Sequence, residues 1–358
     1  MTVLQVCAFG AEHPGNFIAS LEALEQTLSR KNVKTIYAFV ERAADKDWCK
    51  EICKRAKVYF LPEAKARILP KTYQVIRSIY AENKVDIVHT HFELYDIPAT
   101  VTAPKSAKVF WHLHDPIMPG TGFRSMLWKL QYGHVGKRAT LLSVADYYRN
   151  VVVELGFPKD QTELVLNGID LNRVSAKTAG EKAEYDFLTF GWDFERKGDD
   201  LIVEACDKLE KDGYQFKLLL NGNDTTWANL DSFLNNRVPS YLVKGNPVKD
   251  VSELFEKSKV FIQASRRETF SYAVCEAAYA GLPIISSDIA GLEWAHELPT
   301  VSFFENEDKN GLYAQMKAFL DGKCVPDSDV HRSQEYIKDN LSISAWVRSI
   351  IGYYGFGE

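Results

Sequence analysis

The stretch VFIQASRRETFSYAVCEAAYAGLPIISSD, Val260 to Asp288, decides how the chain is read. Val260 to Gln263 is a short apolar run of strand type that gives way to a polar loop. A helical segment follows from about Phe270, stops at Gly281-Leu-Pro283, and feeds a second apolar run at Ile284 to Ser286. Strand, loop, helix and strand in that order form the unit of a parallel sheet with helical crossovers. Glu268 stands just before the helix and Glu276 inside it. Unpaired amides around Phe270, Ser271 and Tyr272, with the positive end of the helix dipole, suit a phosphate or another anionic group. Glu276 can accept hydrogen bonds from paired hydroxyls such as those of a ribose. A lone glutamate on a helix is usually a solvated surface residue, but two around one strand–loop–helix corner are a less common arrangement.

Outward from this corner the same alternation covers the chain. Strand-like runs lie at Phe187 to Gly191, Phe216 to Asn221, Tyr241 to Val243, Val260 to Gln263, Ile284 to Ser286 and Val301 to Phe304. An earlier set lies at Val3 to Phe9, Lys34 to Phe39, Val58 to Leu61, Asp86 to His91, Val109 to His114 and Thr140 to Val144. Helical patterns fall between them, as at Phe17 to Ser29 and Arg67 to Glu82. Short continuous apolar strands are expected where helices cover both faces of a parallel sheet. The periodicity lapses near Asn167-Gly168 and the polar run Ser175 to Lys182. The predicted organisation is therefore an α/β N-terminal Rossmann-like domain over 1–170, a linker over 171–184, and a second Rossmann-like domain over 185–340. A helical segment over 341–358 completes it. In such sheets ligands bind at the carboxyl ends of strands, here expected across an interdomain cleft.

With 358 residues, 46% of them hydrophobic and 25% charged, the chain has the composition of a globular protein of about two domains. Its net charge of −5 argues against a whole-surface nucleic-acid binder. That charge is unevenly divided: residues 1–170 hold 22 basic and 18 acidic residues, net +4, and the remainder is net −9. Apolar runs are too short to span a bilayer, and the first residues enter a strand-like run without a signal-peptide pattern, so a cytoplasmic protein is expected. Of six cysteines, only Cys49 and Cys53 lie close together, at the spacing of one helical turn rather than of a zinc knuckle.

The Val260–Asp288 segment resembles the two-glutamate signature of the retaining glycosyltransferases of family 4, which have the GT-B fold of two facing Rossmann-like domains. Further stretches are similar to that family's motifs and come in its order. They are Asp86-Ile-Val-His-Thr-His91; Val109-Phe-Trp-His-Leu-His-Asp115; Ser143 to Asp170, with its closing Val165-Leu-Asn-Gly-Ile-Asp170; Phe190-Gly-Trp-Asp-Phe-Glu-Arg-Lys-Gly198; Leu218-Leu-Leu-Asn-Gly222; and Ile289-Ala-Gly-Leu-Glu293. The resemblance implies that the C-terminal segment crosses back to the first domain.

It also implies residue roles. Glu268 would contact the transferred sugar and Glu276 the ribose of the nucleotide, with the amides of Phe270, Ser271 and Tyr272 approaching sugar and diphosphate. Lys197 would be the diphosphate partner, assisted by Arg196, and His114 would line the reacting face. Gly15 and Asn16, in the loop after the first strand, are the nearest equivalent of the family's Gly-Gly loop, and Asn221 ends a strand of the donor-binding domain. Two positions depart from the pattern. Trp192 stands where the family has an arginine, with Arg196 or Arg267 as a candidate substitute for the missing cation, and Ser271 replaces a glycine.

The implied activity is metal-independent, retaining transfer of a sugar from a nucleotide diphosphate sugar, a UDP-sugar being favoured, to a hydroxyl of a glycan or lipid-linked glycan. The setting would be cell-envelope or exopolysaccharide biosynthesis, with no cofactor. Three other readings stand beside it: an accessory subunit of a transferase complex, a sugar-nucleotide epimerase, and a hydrolase with zinc on His89, His91, His112 and His114. The segment Phe123 to Tyr132 reads as an amphipathic helix facing the core; the alternative is peripheral contact with anionic lipid.

Overall fold

The computed structural model describes residues 1–117, 122–174, 183–248 and 250–357. Of the predicted linker, residues 175–182 lie outside the described residues. Two compact units divide the chain: residues 1–168 with 343–358, and residues 169–342.

The first unit is built on a seven-stranded parallel sheet. Its strands are β1 (Thr2–Cys7), β2 (Lys34–Val40), β3 (Lys57–Leu61), β4 (Ile87–His91), β5 (Lys108–Leu113), β6 (Thr140–Ser143) and β7 (Thr162–Leu164). They run in the order β3-β2-β1-β4-β5-β6-β7, so the chain reverses its direction of winding between β1 and β4. The central strands are buried on both faces, which is why they read as unbroken apolar runs. Strand β7 is not legible in the sequence: three residues are too few for periodicity, and pairing with Leu141 to Ser143 makes it a strand. Strand β5 ends one residue earlier than expected, which leaves His114 just past its carboxyl end.

Helices cover the sheet with apolar stripes at helical spacing. Gly15–Arg30 buries Phe17, Leu21, Leu24 and Leu28. The last helix, Ile343–Tyr354, buries Trp346, Val347, Ile350, Ile351 and Tyr354 in the core of the first unit. The helix Phe123–Val135 faces the core as expected, but through its aromatic side, and its Met and Leu side turns away. Tyr132 is fully buried and Trp128 is partly covered, while Met126 and Leu130 are 54% and 58% exposed. The Arg67 guanidinium lies 4.5 Å from the centre of a Trp128 ring. Aromatic rings four apart bury more area than Met and Leu do, so they decide which face turns inward.

The second unit has a six-stranded parallel sheet, β8 (Tyr185–Gly191), β9 (Leu218–Gly222), β10 (Leu242–Gly245), β11 (Ser258–Gln263), β12 (Ile284–Asp288) and β13 (Val301–Glu305), in the order β10-β9-β8-β11-β12-β13. Here the winding reverses between β8 and β11. Each unit is a doubly wound, Rossmann-like domain, as the sequence pattern predicted, and each opens a crevice at the carboxyl ends of the strands flanking its reversal point.

Candidate active site

In the second unit the carboxyl ends of β8 and β11 bring together residues about seventy positions apart. After β8 the chain turns at Trp192, whose indole is exposed, and Asp193 caps a single helical turn, Phe194–Lys197. The Asp193 carboxylate accepts from the Arg196 amide at 3.4 Å and from Arg196 Nε at 3.1 Å. Gly198 ends the turn in the left-handed region, at φ 70°, and a Cβ there would stand 2.1 Å from the Ala264 carbonyl oxygen. No side chain fits, so glycine lets this turn press against the segment that follows β11.

That segment carries Glu268. One of its carboxylate oxygens accepts from Lys197 Nζ at 2.6 Å, Arg196 Nη1 at 3.1 Å, Gln263 Nε2 at 3.0 Å and the Ser265 hydroxyl at 3.0 Å. The Lys197 and Glu268 side chains are each only 10% exposed. Burial alone pushes the Glu268 pKa up, but Lys197, Arg196 and Ser265 together outweigh it and hold the carboxyl below its usual range. Gln263 and Ser265 were not among the expected site residues, although their two-residue spacing places both on one side of the strand end. Gly291 supports the loop from behind: with φ 92°, its missing Cβ would fall 2.2 Å from the Glu268 carbonyl.

Beyond Glu268 the corner closes as Trp294 Nε1 donates to the Phe270 carbonyl at 2.9 Å. Ser271 occupies the left-handed region at φ 60° and precedes the helix Tyr272–Tyr279. Its buried hydroxyl has no hydrogen-bond partner among the described residues. Glu276 is buried one turn into this helix. Of the two arginines considered for the missing cation, Arg196 pairs with Glu268, whereas Arg267 is exposed and makes no ion pair among the described residues. Asn221, at the end of β9, is fully buried beside Gly245 of β10. A separate cavity of about 660 Å³ lies at the opposite, amino-terminal edge of this sheet, lined by residues such as Lys217, Tyr241 and Lys259. That edge lacks the helix N-termini and strand-end loops that make a doubly wound sheet a binding surface.

In the first unit His114 lies at the end of β5, buried to 7% exposure. Its Nδ1 meets Asn167 Oδ1 at 2.8 Å and its Nε2 meets His91 Nδ1 at 3.1 Å. The Phe17 ring packs edge-on to both imidazoles, which sets the start of the helix Gly15–Arg30 beside His114. Gly15 takes φ 56° with open space where a Cβ would go, and Asn16 is buried behind it. Burial drives the pKa of His89, His91 and His112 well below 6.5; it lowers His114 to about 4 against the opposing Asn167 hydrogen bond. All four rings are neutral at pH 7.

Ligand nitrogens of His89, His91 and His112 lie within 4.8 Å of one another. His91, however, has both nitrogens committed, Nδ1 to His114 and Nε2 to Gln5 Oε1 at 2.9 Å. A metal could take His91 as a ligand only by breaking that chain, so the trio is a poor fit for zinc.

Comparisons with known proteins agree with the doubly wound fold of the two units. Residues 22–173 match the family model Glycosyltransferase Family 4, and residues 172–335 match the model Glycosyl transferases group 1. A curated relative, an uncharacterized 41.2 kDa protein in the cps region of Klebsiella pneumoniae, is 22% identical over 241 residues, 63% of this chain and 66% of that protein. Among solved structures, Alr3699/HepE of Anabaena in complex with UDP superposes with a TM-score of 0.79 at 13% identity, covering 99% of this chain and 100% of that one. The lipopolysaccharide outer core galactosyltransferase WaaB in its apo form gives 0.73 at 13% identity, covering 99% and 100%.

Proposed function

Because the chain belongs to the group 1 glycosyltransferases, with the GT-B fold, we propose that it transfers a sugar with retention from a UDP-sugar to a hydroxyl of a glycan or lipid-linked glycan. The observation that carries this reading is the cluster of Arg196, Lys197 and Glu268 at the β8 and β11 strand ends. It offers two cations for a diphosphate and a carboxylate for sugar hydroxyls, beside a helix N-terminus. Lys197 and Arg196 stabilise the charge that develops on the departing nucleotide, and Glu268 orients the sugar. The departing phosphate takes the proton of the attacking hydroxyl on the same face, so no separate general base and no metal is needed. Uridine is favoured because the HepE structure holds UDP. An envelope or exopolysaccharide setting is favoured because WaaB acts in the lipopolysaccharide outer core.

The test is turnover and binding across UDP-, GDP- and ADP-sugars. Nucleotide release that depends on an acceptor and persists in EDTA is the expected result; no binding to any nucleotide sugar would remove the reading. Glu276→Ala is expected to raise the donor KM about 10- to 100-fold, the loss of one charge-assisted hydrogen-bonding group, with kcat changed less.

The exposed Met126, Leu127 and Leu130, with Lys129 among them, give the first unit a face suited to peripheral contact with anionic lipid. Double substitution Met126→Asp, Leu130→Asp is expected to lower co-sedimentation with phosphatidylglycerol vesicles about tenfold and to leave UDP-sugar binding intact. Among the described residues no helix is long and apolar enough to cross a membrane.

A further inference from the structure

A continuous hydrogen-bonded chain runs through the core of the first unit. Asn167 meets His114 and His114 meets His91, which meets Gln5. Gln5 Nε2 donates to the Tyr354 hydroxyl at 3.1 Å, and that hydroxyl lies 2.7 Å from His89 Nδ1. The residues come from β1, β4, the end of β5, the segment before residue 168 and the last helix. Around the chain stand His112, whose ring stacks 4.2 Å from that of His114, and Phe92, 4.9 Å from His114. Gln5, His89 and His91 are each exposed by 1% or less, so no solvent relieves a mismatched donor or acceptor.

Proton bookkeeping constrains such a chain. A neutral imidazole has one donor and one acceptor nitrogen, so two in series pass hydrogen bonds in one direction only. If Gln5 presents its oxygen, His91 is protonated at Nε2 and its bare Nδ1 accepts from His114 Nε2–H. His114 Nδ1 is then bare, and Asn167 must present its NH2 group. If Gln5 presents its NH2 group, every proton sits on the other nitrogen, and His114 Nδ1–H donates to Asn167 Oδ1. Oxygens facing the rings at both ends, the orientation described above, leave no proton between His91 Nδ1 and His114 Nε2 unless a third ring proton is added, which burial opposes; one of the two amides is therefore turned. A half-turn of either amide exchanges oxygen for NH2 within the same shape, so the orientations of Gln5 and Asn167 are linked through two rings.

We infer that Gln5 and Asn167 are positioning residues for His114: they hold its ring and select which of its nitrogens carries the proton at the strand end. The inference rests on the reading of His114 as a group lining the sugar site. Both its nitrogens are already engaged within the protein, so a sugar hydroxyl reaching it must share or replace the Asn167 contact. Whether that hydroxyl is met by a donor or an acceptor is decided at Gln5, one ring further into the core.

The test is the ¹H–¹⁵N spectrum of the histidine rings of the full chain at pH 7.5, without substrate. His91 and His114 should each show one protonated and one bare nitrogen. In Gln5→Met the His114 pattern should move toward a tautomer average, and kcat should fall about tenfold with the donor KM nearly unchanged, because a ring of the wrong tautomer still binds but misplaces a proton. Asn167→Leu removes the other end and should give the same spectral change, should Gln5→Met fail to fold. Ile76→Val, a core change on a helix away from the chain, should leave the ring spectrum as in the wild type. An unaltered His114 pattern in the folded Gln5 and Asn167 variants would overturn the inference. The spectrum is read on free protein, so it stands or falls separately from the transferase reading, which turnover tests.

Discussion

Glu268→Ala is expected to lower kcat by about 10²- to 10³-fold, the scale on which removing one preorganised electrostatic contact acts. Its carboxylate oxygen collects four donors, Lys197, Arg196, Gln263 and Ser265, so truncation disperses the group that orders both cations. It also takes the Glu268 counter-charge from the Lys197 side chain, which is only 10% exposed. Breaking one side of a buried ion pair costs about 3 to 5 kcal/mol, so a lower Tm should accompany the lost turnover. Glu268→Gln keeps the shape and some hydrogen bonding, and separates the two effects: activity should stay low while part of the Tm returns. A fall in kcat below about threefold for Glu268→Ala would contradict the assignment. The pH dependence follows from the depressed Glu268 pKa. A carboxyl held below its unfolded value contributes stability that is present above that value and is lost as pH falls through the folded pKa. The pair should therefore fail in acid, and Glu268→Gln should show a shallower loss of Tm below about pH 4.5 than the wild type.

Asp199→Asn is expected to stabilise the protein in base and to change little in mild acid. Asp199 is fully buried after Gly198, with neither carboxylate oxygen hydrogen-bonded to a described residue. Burial raises its pKa to about 8; Lys197 opposes this, and Asp200 and Asp193 add to it. The folded protein therefore keeps a proton that the unfolded chain releases near the ordinary aspartate value. Stability from this group is complete below about pH 4, falls between about pH 4 and 8, and is level above that range. The substituted side-chain amide does not titrate, so the variant should gain on the order of 4 to 6 kcal/mol over the wild type at pH 9 and almost nothing at pH 4. Denaturant unfolding at the two pH values measures this. Equal stability differences at both would show that Asp199 is ionised throughout.

The candidate site was legible in outline. Glu268, Glu276, Arg196 and Lys197 sit on strand-to-helix corners that the order of apolar runs, turns and helical stretches marks directly, because local periodicity depends on neighbouring residues. His114 was legible as a strand-end residue. Gln263 and Ser265 lay in the quoted stretch, but nothing in their spacing distinguishes a side chain that grips Glu268 from one that fills a loop. Asn221 was likewise legible as a strand-end residue, but that the register of β9 with β10 sets it beside Gly245 is not readable from its place in the sequence.

Residue order alone thus establishes two doubly wound domains and their strand-to-helix corners, since helix and strand periods and the stop signals between them are properties of short segments. Tertiary structure decides which polar groups meet. Lys197 and Glu268 are 71 residues apart, and Gln5 and Tyr354 are separated by 349. Whether such pairs touch depends on sheet order and on how tightly glycines such as Gly198 and Gly291 let backbones approach. The outward turn of Met126 and Leu130 was likewise set by competition with Trp128 and Tyr132 for the same core. A pattern of apolar residues identifies a helix that has a buried face, but the larger rings determine which face it is, because burial free energy scales with the area each side chain removes from water.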